Sequence, residues 1–239
     1  MKAIVVTGGT RGIGFEIARL FATRPMNAEA VVLTGTDPAR LADAAAAIQA
    51  EILDQRISNV SRVIPVLSDL SRAQAYDAFF DTLAALDVEV EMLVNNAGFT
   101  APGPIETVTD DDFARTLQVN LISPVLLVRE AMRRGHGLRI VVNIASTAGM
   151  NGRANWITYS ASKAGMIAAS EAMREELAGK GIDVVLLSPG RCATDLRRTL
   201  APDEDPSTIM QPAEVASALH FLCSNAGAVL RKQNLVLRR

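Results

Sequence analysis

The chain has 239 residues, 49% of them hydrophobic, which is enough for one α/β domain with a large core. Its formal net charge of −2 excludes the strongly basic surface that nucleic acid or an anionic membrane would require, so a small-molecule partner is expected. The cysteines (Cys192, Cys223) and histidines (His136, His220) match no disulfide or metal-binding spacing, and we predict no metal site.

The sequence shows no targeting or membrane segment. No apolar run approaches the roughly 18 residues that a membrane span requires. The apolar stretch at residues 1–7 is shorter than the core of a signal peptide. We therefore expect a cytoplasmic protein without a membrane partner.

The first strand, around Ile4-Val5-Val6, ends at a glycine-rich loop, residues 7–14, after which apolar residues recur at helical spacing. Glycine at positions 8, 12 and 14 lets the backbone turn tightly and approach a pyrophosphate, whose charge would face the positive end of the following helix. This order of strand, loop and helix predicts a dinucleotide site. The spacing differs from Gly-x-Gly-x-x-Gly, because three residues separate Gly8 from Gly12.

The second strand, residues 30–34, is followed by Thr36, Asp37 and a helix predicted over residues 38–56. Asp37 has two interpretations: the N-cap of this helix, or the acid that accepts from the ribose 2′-hydroxyl of NAD. We favour the cap, because a proline follows at the first helical position. With no acid firmly assigned to the ribose, and with Arg11 able to pair with a 2′-phosphate, NADP is favoured over NAD.

The third strand, residues 63–67, ends near Asp69, a candidate acceptor for the adenine amino group. A polar residue at a strand end also has ordinary structural roles, and both interpretations remain open. Ser71 and Gln74 resemble a capping box, which predicts that a helix follows.

The fourth strand, residues 91–94, leads into Asn95 and Asn96. Their amides need partners, so they are expected to brace neighbouring strands, to support backbone that approaches the cofactor, or both. The next helix is predicted to continue through Asn120, with a kink at Pro124. Asn120 lies in an apolar stretch and should be buried and hydrogen-bonded.

A fifth strand, residues 138–145, precedes a set of residues suited to proton transfer. Tyr159 and Lys163 are four apart and share one face of a helix, and Ser146 follows the strand at the end where ligands collect in open α/β sheets. A nearby ammonium stabilises a phenolate, so Lys163 is expected to lower the pKa of Tyr159, the acid and base. Ser146 would hold the reacting oxygen.

The remaining elements complete an alternating pattern. A sixth strand is predicted at 182–187, a last helix at 212–223 and a seventh strand at 234–237. Residues 191–210 are rich in charge and proline, which indicates a loop or short mobile helix outside the core, and we interpret them as a substrate lid. We predict an α/β fold: a Rossmann-type doubly wound parallel sheet of about seven strands with helices on both faces, as a single domain over 1–239.

Four motifs coincide in order: Thr7-Gly8-Gly9-Thr10-Arg11-Gly12-Ile13-Gly14, Asn95-Asn96-Ala97-Gly98, Ser146 with Tyr159-x-x-x-Lys163, and Pro189-Gly190. On these motifs the chain resembles the short-chain dehydrogenase/reductase family over essentially its whole length. The resemblance implies a catalytic tetrad of Asn120, Ser146, Tyr159 and Lys163. The cofactor contacts that follow from the motifs and the resemblance are Gly8, Thr10, Arg11, Gly12, Ile13, Gly14, Thr36, Asp69, Leu70, Asn96, Ala97, Gly98, Tyr159, Lys163, Pro189, Gly190 and Thr194.

The resemblance also implies individual roles. Lys163 would bond the nicotinamide ribose, Asn120 would hold a proton-relay water, and Thr194 would contact the nicotinamide carboxamide. An arginine placed as Arg11 is associated with NADP in this family.

Within this family the chain resembles the general-purpose 3-oxoacyl-carrier-protein reductases, so the expected partner is a small carbonyl or alcohol substrate, free or carrier-linked. Sugar, steroid and polyketide ketones remain open as substrates. A homodimer or homotetramer is implied as well. Many relatives end in a strand followed by Asp-Gly-Gly, whereas this chain ends Leu235-Val236-Leu237-Arg238-Arg239.

The leading hypothesis is therefore an NADP(H)-dependent oxidoreductase that interconverts a ketone and a secondary alcohol. One alternative is a non-catalytic dinucleotide-binding regulatory protein, which would have no need for Ser146, Tyr159 and Lys163 together. Another is a nucleotide-sugar epimerase or dehydratase, which generally needs a larger region after the position of Thr194.

Overall fold

The computed structural model describes residues 1–24, 26, 28–56, 62–72 and 75–239. Its strands are β1 Lys2–Val6, β2 Ala30–Gly35, β3 Arg62–Leu67, β4 Glu89–Asn95, β5 Ile140–Ile144, β6 Asp183–Pro189 and β7 Asn234–Leu237. They form one parallel sheet in the order β3-β2-β1-β4-β5-β6-β7. The predicted doubly wound parallel sheet is confirmed.

Helices cover both faces of this sheet. They are α1 Gly12–Thr23, α2 Pro38–Asp54, α3 Ala75–Ala85, α4 Asp110–Leu117, α5 Ser123–Arg133, α6 Ile157–Ala178, α7 Asp195–Leu200 and α8 Pro212–Cys223. Strand β1 shows how the sheet separates the two layers, because successive side chains point to opposite faces. Ile4 and Val6 belong to the core with α1, α2 and α8, whereas Ala3 and Val5 belong to the core with α3 and α5.

The strand order determines where a ligand can bind. From β1 the chain continues to β2 on one side, and β4 pairs with β1 on the other, so the order reverses between β1 and β4. A crevice opens outside the carboxyl ends of the strands at such a point. The glycine loop follows β1 and the Asn95-Asn96 pair follows β4, so both motifs lie at this crevice.

Several local predictions can be checked against the hydrogen bonds. Asp37 caps α2, since its Oδ1 accepts from the amides of Ala39 at 2.9 Å and Arg40 at 3.1 Å. Ser71 donates its hydroxyl to Asp69 Oδ1 at 2.7 Å, and Gln74, the other half of the expected capping box, lies outside the described residues.

The helix predicted to run through Asn120 is interrupted. Gln118–Ile122 forms a π-helical turn between α4 and α5, in which the Ser123 amide bonds the carbonyl of Gln118. Pro124 has no N–H to donate to the carbonyl of Asn120, so the regular ladder cannot continue there. The expected kink is thus a π turn that precedes the proline, and such turns are frequent at functional sites.

Among the described residues, no helix combines the length and apolar character that crossing a bilayer requires.

The Asp37 cap leads to a stability prediction. Asp37→Ala removes the acceptor for two amides of the first turn of α2 and should lower the free energy of unfolding by about 0.5–2 kcal/mol. Asp37→Asn keeps a capping oxygen and should stay close to the wild type. Chemical denaturation of the three proteins tests this, and an alanine variant as stable as the asparagine variant would contradict the capping role.

Candidate active site

The glycine loop is shaped for close approach of a ligand to the backbone. Gly8 has a φ of +65°, and a Cβ there would lie 2.9 Å from Ala97 Cα, so both conformation and space require glycine. A Cβ on Gly14 would collide with the Gly8 carbonyl oxygen. Helix α1 begins here, and no side chain caps its first turn. Free amides and the positive end of the helix dipole together suit a phosphate group.

Strands β1 and β4 are connected at their carboxyl ends by side chains. Thr7 Oγ1 accepts from the amides of Asn96 and Ala97, each at 3.0 Å, and donates to the Val94 carbonyl at 3.2 Å. Asn96 Nδ2 donates to the carbonyls of Thr7 at 2.9 Å and Gly8 at 3.2 Å. The bracing role expected of Asn96 is thus present, and it fixes the glycine loop against the end of β4.

A cavity of about 710 Å³ extends from this loop along the ends of the strands. It is lined by every residue predicted to contact the cofactor and by Ser146, Tyr159 and Lys163. Asp37 is not among the lining residues, in agreement with its role as a cap. Asn120 does not line the cavity either and lies behind its wall.

Asn120 is 1% exposed and fully engaged. Its Oδ1 accepts from the Phe99 amide at 2.8 Å, and its Nδ2 donates to the Phe99 carbonyl and to Ser162 Oγ, each at 2.9 Å. Ser162 in turn donates to the Tyr159 carbonyl at 2.8 Å. The side chain of Asn120 therefore connects the π turn to the first turns of α6, where Tyr159 lies.

The other three residues of the expected tetrad lie at the end of β5. Ser146 lies two residues after the end of β5 and accepts from the Ala148 amide at 3.1 Å. Tyr159 and Lys163 are both buried on α6. Lys163 Nζ donates to the Ile144 carbonyl at 2.8 Å and lies 5.8 Å from the centre of the Tyr159 ring.

Burial is the largest influence on the pKa values of Tyr159 and Lys163. It raises the pKa of the Tyr159 phenol, although a hydrogen bond with Ser146 and the charge of Arg197 act in the opposite direction. Burial also lowers the pKa of the Lys163 ammonium to about 8. A net lowering of the tyrosine pKa, as expected from the sequence, is therefore not found, because desolvation outweighs the other influences and the Lys163 ammonium is directed to the Ile144 carbonyl.

Arg11 has a protein partner in this structure. Its Nη1 lies 3.0 Å from Asp195 Oδ2, and both side chains are substantially exposed. This ion pair connects the glycine loop to the first turn of α7. This pair could not be predicted from the sequence, because the two residues belong to segments far apart in the chain.

The segment 191–210 is partly built into the core, contrary to the expectation from its composition. Cys192 and Met210 form an isolated β-bridge and belong to the large core with α1 and α8. Leu200, at the end of α7, packs with Tyr159 and Ala148. The few apolar residues of this charged segment are therefore the ones that fix it to the domain.

The residues flanking the reactive end only partly match expectation. From the sequence, Phe99, Met150 and Trp156 are expected to border the pocket; Phe99 and Trp156 line the cavity, whereas Met150 is exposed and does not. Four arginines that line the cavity were not predicted from the sequence, namely Arg115, Arg153, Arg191 and Arg197. Only a three-dimensional arrangement distinguishes them from the many arginines on the surface.

Comparison with known proteins assigns the family. The family model described as short chain dehydrogenase matches residues 2–205. The 3-oxoacyl-(acyl-carrier-protein) reductase FabG of Escherichia coli (strain K12) is 31% identical over 247 residues, covering 98% of this chain and 94% of that protein. FabG of Aquifex aeolicus is 30% identical over 240 residues, with coverages of 96% and 92%.

Two solved structures share the fold. A short chain dehydrogenase from Burkholderia cenocepacia in complex with NADP superposes with a TM-score of 0.82 at 26% identity, over 99% of this chain and 95% of that one. A 4-hydroxyisoleucine dehydrogenase complexed with NADH gives 0.82 at 23% identity, over 100% and 97%. With the family match, the relatives and the shared fold in agreement, the chain belongs to the short-chain dehydrogenase/reductase family and is an oxidoreductase acting on CH–OH or C=O groups.

Proposed function

We propose that this protein transfers a hydride between NADP(H) and a ketone or secondary alcohol, with Tyr159 as general acid and base. The observation that carries the proposal is one continuous cavity, with an uncapped helix N-terminus at one end and Ser146, Tyr159 and Lys163 at the other. A dinucleotide has its phosphates and its reactive ring at opposite ends, which suits this arrangement.

The residues present fit a nicotinamide dinucleotide. The space kept open by Gly8, Gly12 and Gly14 would take the pyrophosphate, and Thr36, Asp69 and Leu70 would border the adenosine. That the related Burkholderia cenocepacia protein is described with NADP supports the same class of cofactor. When bound, the cofactor supplies or accepts the hydride.

The chain's own residues then manage the proton. The Ser146 hydroxyl holds the carbonyl oxygen by a hydrogen bond that strengthens as charge develops there. The Tyr159 phenol, kept protonated by its raised pKa, donates its proton to that oxygen and recovers it in the reverse direction. Lys163, buried beside the phenol, would stabilise the phenolate that forms, and Asn120 positions the start of α6.

No contact among the described residues specifically favours a regulatory dinucleotide-binding protein or a nucleotide-sugar epimerase or dehydratase. A regulatory protein that only binds the dinucleotide has no use for burying Tyr159 and Lys163, which costs desolvation energy. A panel of carbonyl compounds, assayed by loss of nicotinamide absorbance with NADPH and NADH in parallel, separates the cases. Binding of both cofactors without consumption of either would favour the regulatory protein.

The first test concerns the acid. Tyr159→Phe removes only the transferable proton and should lower turnover by about 10²- to 10⁴-fold, while NADPH affinity, measured by nucleotide fluorescence, stays nearly intact. Phe221→Tyr, which adds a hydroxyl to an exposed ring on α8 outside the cavity, serves as a control of ordinary activity. Turnover of the Tyr159→Phe variant at the wild-type rate would refute the mechanism.

The second test concerns the cofactor. We propose that Arg11 exchanges Asp195 for the 2′-phosphate of NADP; a charge-assisted bond of about 1.5–3 kcal/mol corresponds to a preference for NADPH of about 10- to 100-fold. Arg11→Ala should lose most of this preference, measured as the kcat/KM ratio of the two cofactors, and salt should weaken it in the wild type. Arg133→Ala, an exposed arginine on α5, is the control.

Asp37 provides the opposing outcome. If its carboxylate selected NAD, the wild type would prefer NADH, and this preference would collapse in Asp37→Ala. We expect instead that Asp37→Ala keeps the preference for NADPH and changes only stability.

The third test concerns assembly. We propose a homodimer or homotetramer in which the helices following Thr109 and around Tyr159 pair with their copies. Exposed Phe113, Ile122 and Ile157 on these helices provide an apolar surface for this pairing. Light scattering should give a multiple of the chain mass, and Ile122→Asp should shift it towards the monomer. A monomeric wild type at assay concentration would rule the assembly out.

A further inference from the structure

The cavity is much more basic than the protein as a whole. Six basic side chains line it but only two carboxylates, Asp69 and Asp195, although the chain carries a net charge of −2. Both carboxylates have cationic partners of their own. A cavity of this kind attracts anions and raises their local concentration.

Binding of the dinucleotide explains the positive side chains at only one end of the cavity. Its phosphates belong at the glycine loop with Arg11. Arg153 and Arg197 line the other end, on the wall that also includes Trp156 and Tyr159. An explanation is therefore needed for two arginines beside the reacting group.

Arg197 is held rigidly. Its Nε and Nη2 donate to the two carboxylate oxygens of Glu204 at 2.6 and 2.7 Å, and its guanidinium lies over the Trp156 ring, 5.4 Å from the ring centre. The side chain is only 18% exposed. A guanidinium fixed in this way has already lost its rotamer freedom, so little entropy remains to be lost on binding a ligand.

One edge of this guanidinium is uncommitted. Among the described residues, no hydrogen-bond partner of Nη1 is found, although Nε and Nη2 are both used. Glu204 is shared with Arg191, which approaches it at 3.2 Å, so one carboxylate faces two cations and a positive charge remains. Nη1 therefore has two donors available for a ligand in the cavity.

The positive charge of Arg197 lies close to Tyr159, the proposed proton donor. Leu196 and Leu200, on the same helix as Arg197, pack in one cluster with Tyr159 and Trp156. Burial raises the pKa of the Tyr159 phenol overall, and the positive charge of Arg197, after the hydrogen bond with Ser146, is the smaller of two influences that lower it. A group bound to Arg197 would thus lie near the carbonyl that Tyr159 protonates.

Arg153 adds a second cation at the same wall. It lies between Ser146 and α6 in the chain, its side chain is exposed, and no carboxylate partner for it is found in the described part of the chain. The Arg153 carbonyl accepts from the Trp156 amide at 3.1 Å, and Arg197 lies over the Trp156 ring, so both arginines belong to the surroundings of one tryptophan.

We infer that the substrate carries a carboxylate, which Arg197 and Arg153 bind. Tyr159 exchanges a proton with the carbonyl or hydroxyl oxygen of the same molecule. The site therefore takes oxo acids and the corresponding hydroxy acids. This inference rests on the proposed function and goes beyond it in naming the substrate class. The planar fork of arginine matches a carboxylate in geometry. In the reductive direction, the carbonyl carbon gains the hydride and its oxygen gains the phenol proton, while the carboxylate is unchanged.

Paired substrates test the inference. Short straight-chain oxo acids and their methyl esters share the same carbonyl and differ only in the negative charge. The wild type should favour an acid over its ester in kcat/KM by about tenfold or more. A neutral 3-oxoacyl thioester is included as a model of a carrier-linked substrate, and a preference for it over the acids would overturn the inference.

Variants assign the effect to the two arginines. In Arg197→Gln and in Arg153→Gln, the ratio of acid to ester should fall towards one, chiefly through the KM of the acid. Arg198→Gln is the matched control: it removes the same charge from the same helix, but Arg198 is 76% exposed and does not line this cavity. An equal loss of preference in the control would indicate only long-range attraction and would overturn the assignment.

A binding measurement keeps this test independent of turnover. Trp156 is the only tryptophan of the chain and stacks with Arg197, so its fluorescence should respond to an oxo acid but not to its ester, with NADP present at saturation. The response should be lost in Arg197→Gln. If no compound consumes either cofactor, the proposed function fails, yet the titration still decides whether a carboxylate binds here. Equal responses to acid and ester would overturn the inference.

Discussion

The arrangement of the active site depends on buried side-chain hydrogen bonds that fix α6 against the sheet. Asn143, on β5, accepts from Asn95 Nδ2 at 2.8 Å and donates to Ser170 Oγ on α6 at 2.9 Å. Near the start of α6, Asn120 bonds Ser162. Apolar contacts tolerate small sliding movements, but hydrogen bonds between buried amides do not, because each unpaired group would cost about 1–3 kcal/mol. These two connections therefore determine where Tyr159 lies.

The side chains of the site are held in fixed positions, and two of them lose their hydration by being buried. Tyr159 and Lys163 are buried, which works against the charged form of each, and Lys163 is supported by the Ile144 carbonyl. In the proposed reaction, a protonated phenol beside an ammonium of lowered pKa would be in place to give its proton as negative charge develops on the substrate oxygen. The same burial would be a liability in a protein that only stored a nucleotide, which is why the protonation of these residues is informative about function.

The sequence predicted the regular parts of the fold well, because they follow from local patterns. Pro212 marked the start of α8 correctly, and Asp37 was recognised as a cap from the proline after it. The π turn around Asn120 was not predicted, since it depends on the missing N–H of Pro124 and on the bonds of Asn120 to Phe99. Local patterns also gave no information on which of the many arginines would reach the cavity. The position of Arg197 depends on its contacts with Glu204 and Trp156, which form only in the folded chain.

Helix α7 connects the two ends of the cavity through ion pairs of very different strength. The pair of Arg197 and Glu204 is bidentate, with side chains 18% and 16% exposed, so it fixes α7 to the turn that follows it, while Leu196 and Leu200 pack α7 against Tyr159. The pair of Arg11 and Asp195 is 60% and 45% exposed, and pairs of this kind contribute about 0–1 kcal/mol. Under the proposed function, Arg11 would leave Asp195 for the 2′-phosphate at little cost, whereas Arg197 would keep its carboxylate and offer only Nη1 to a ligand. Helix α7 would thus lose an ion pair at the cofactor end of the cavity and keep its contacts at the reactive end.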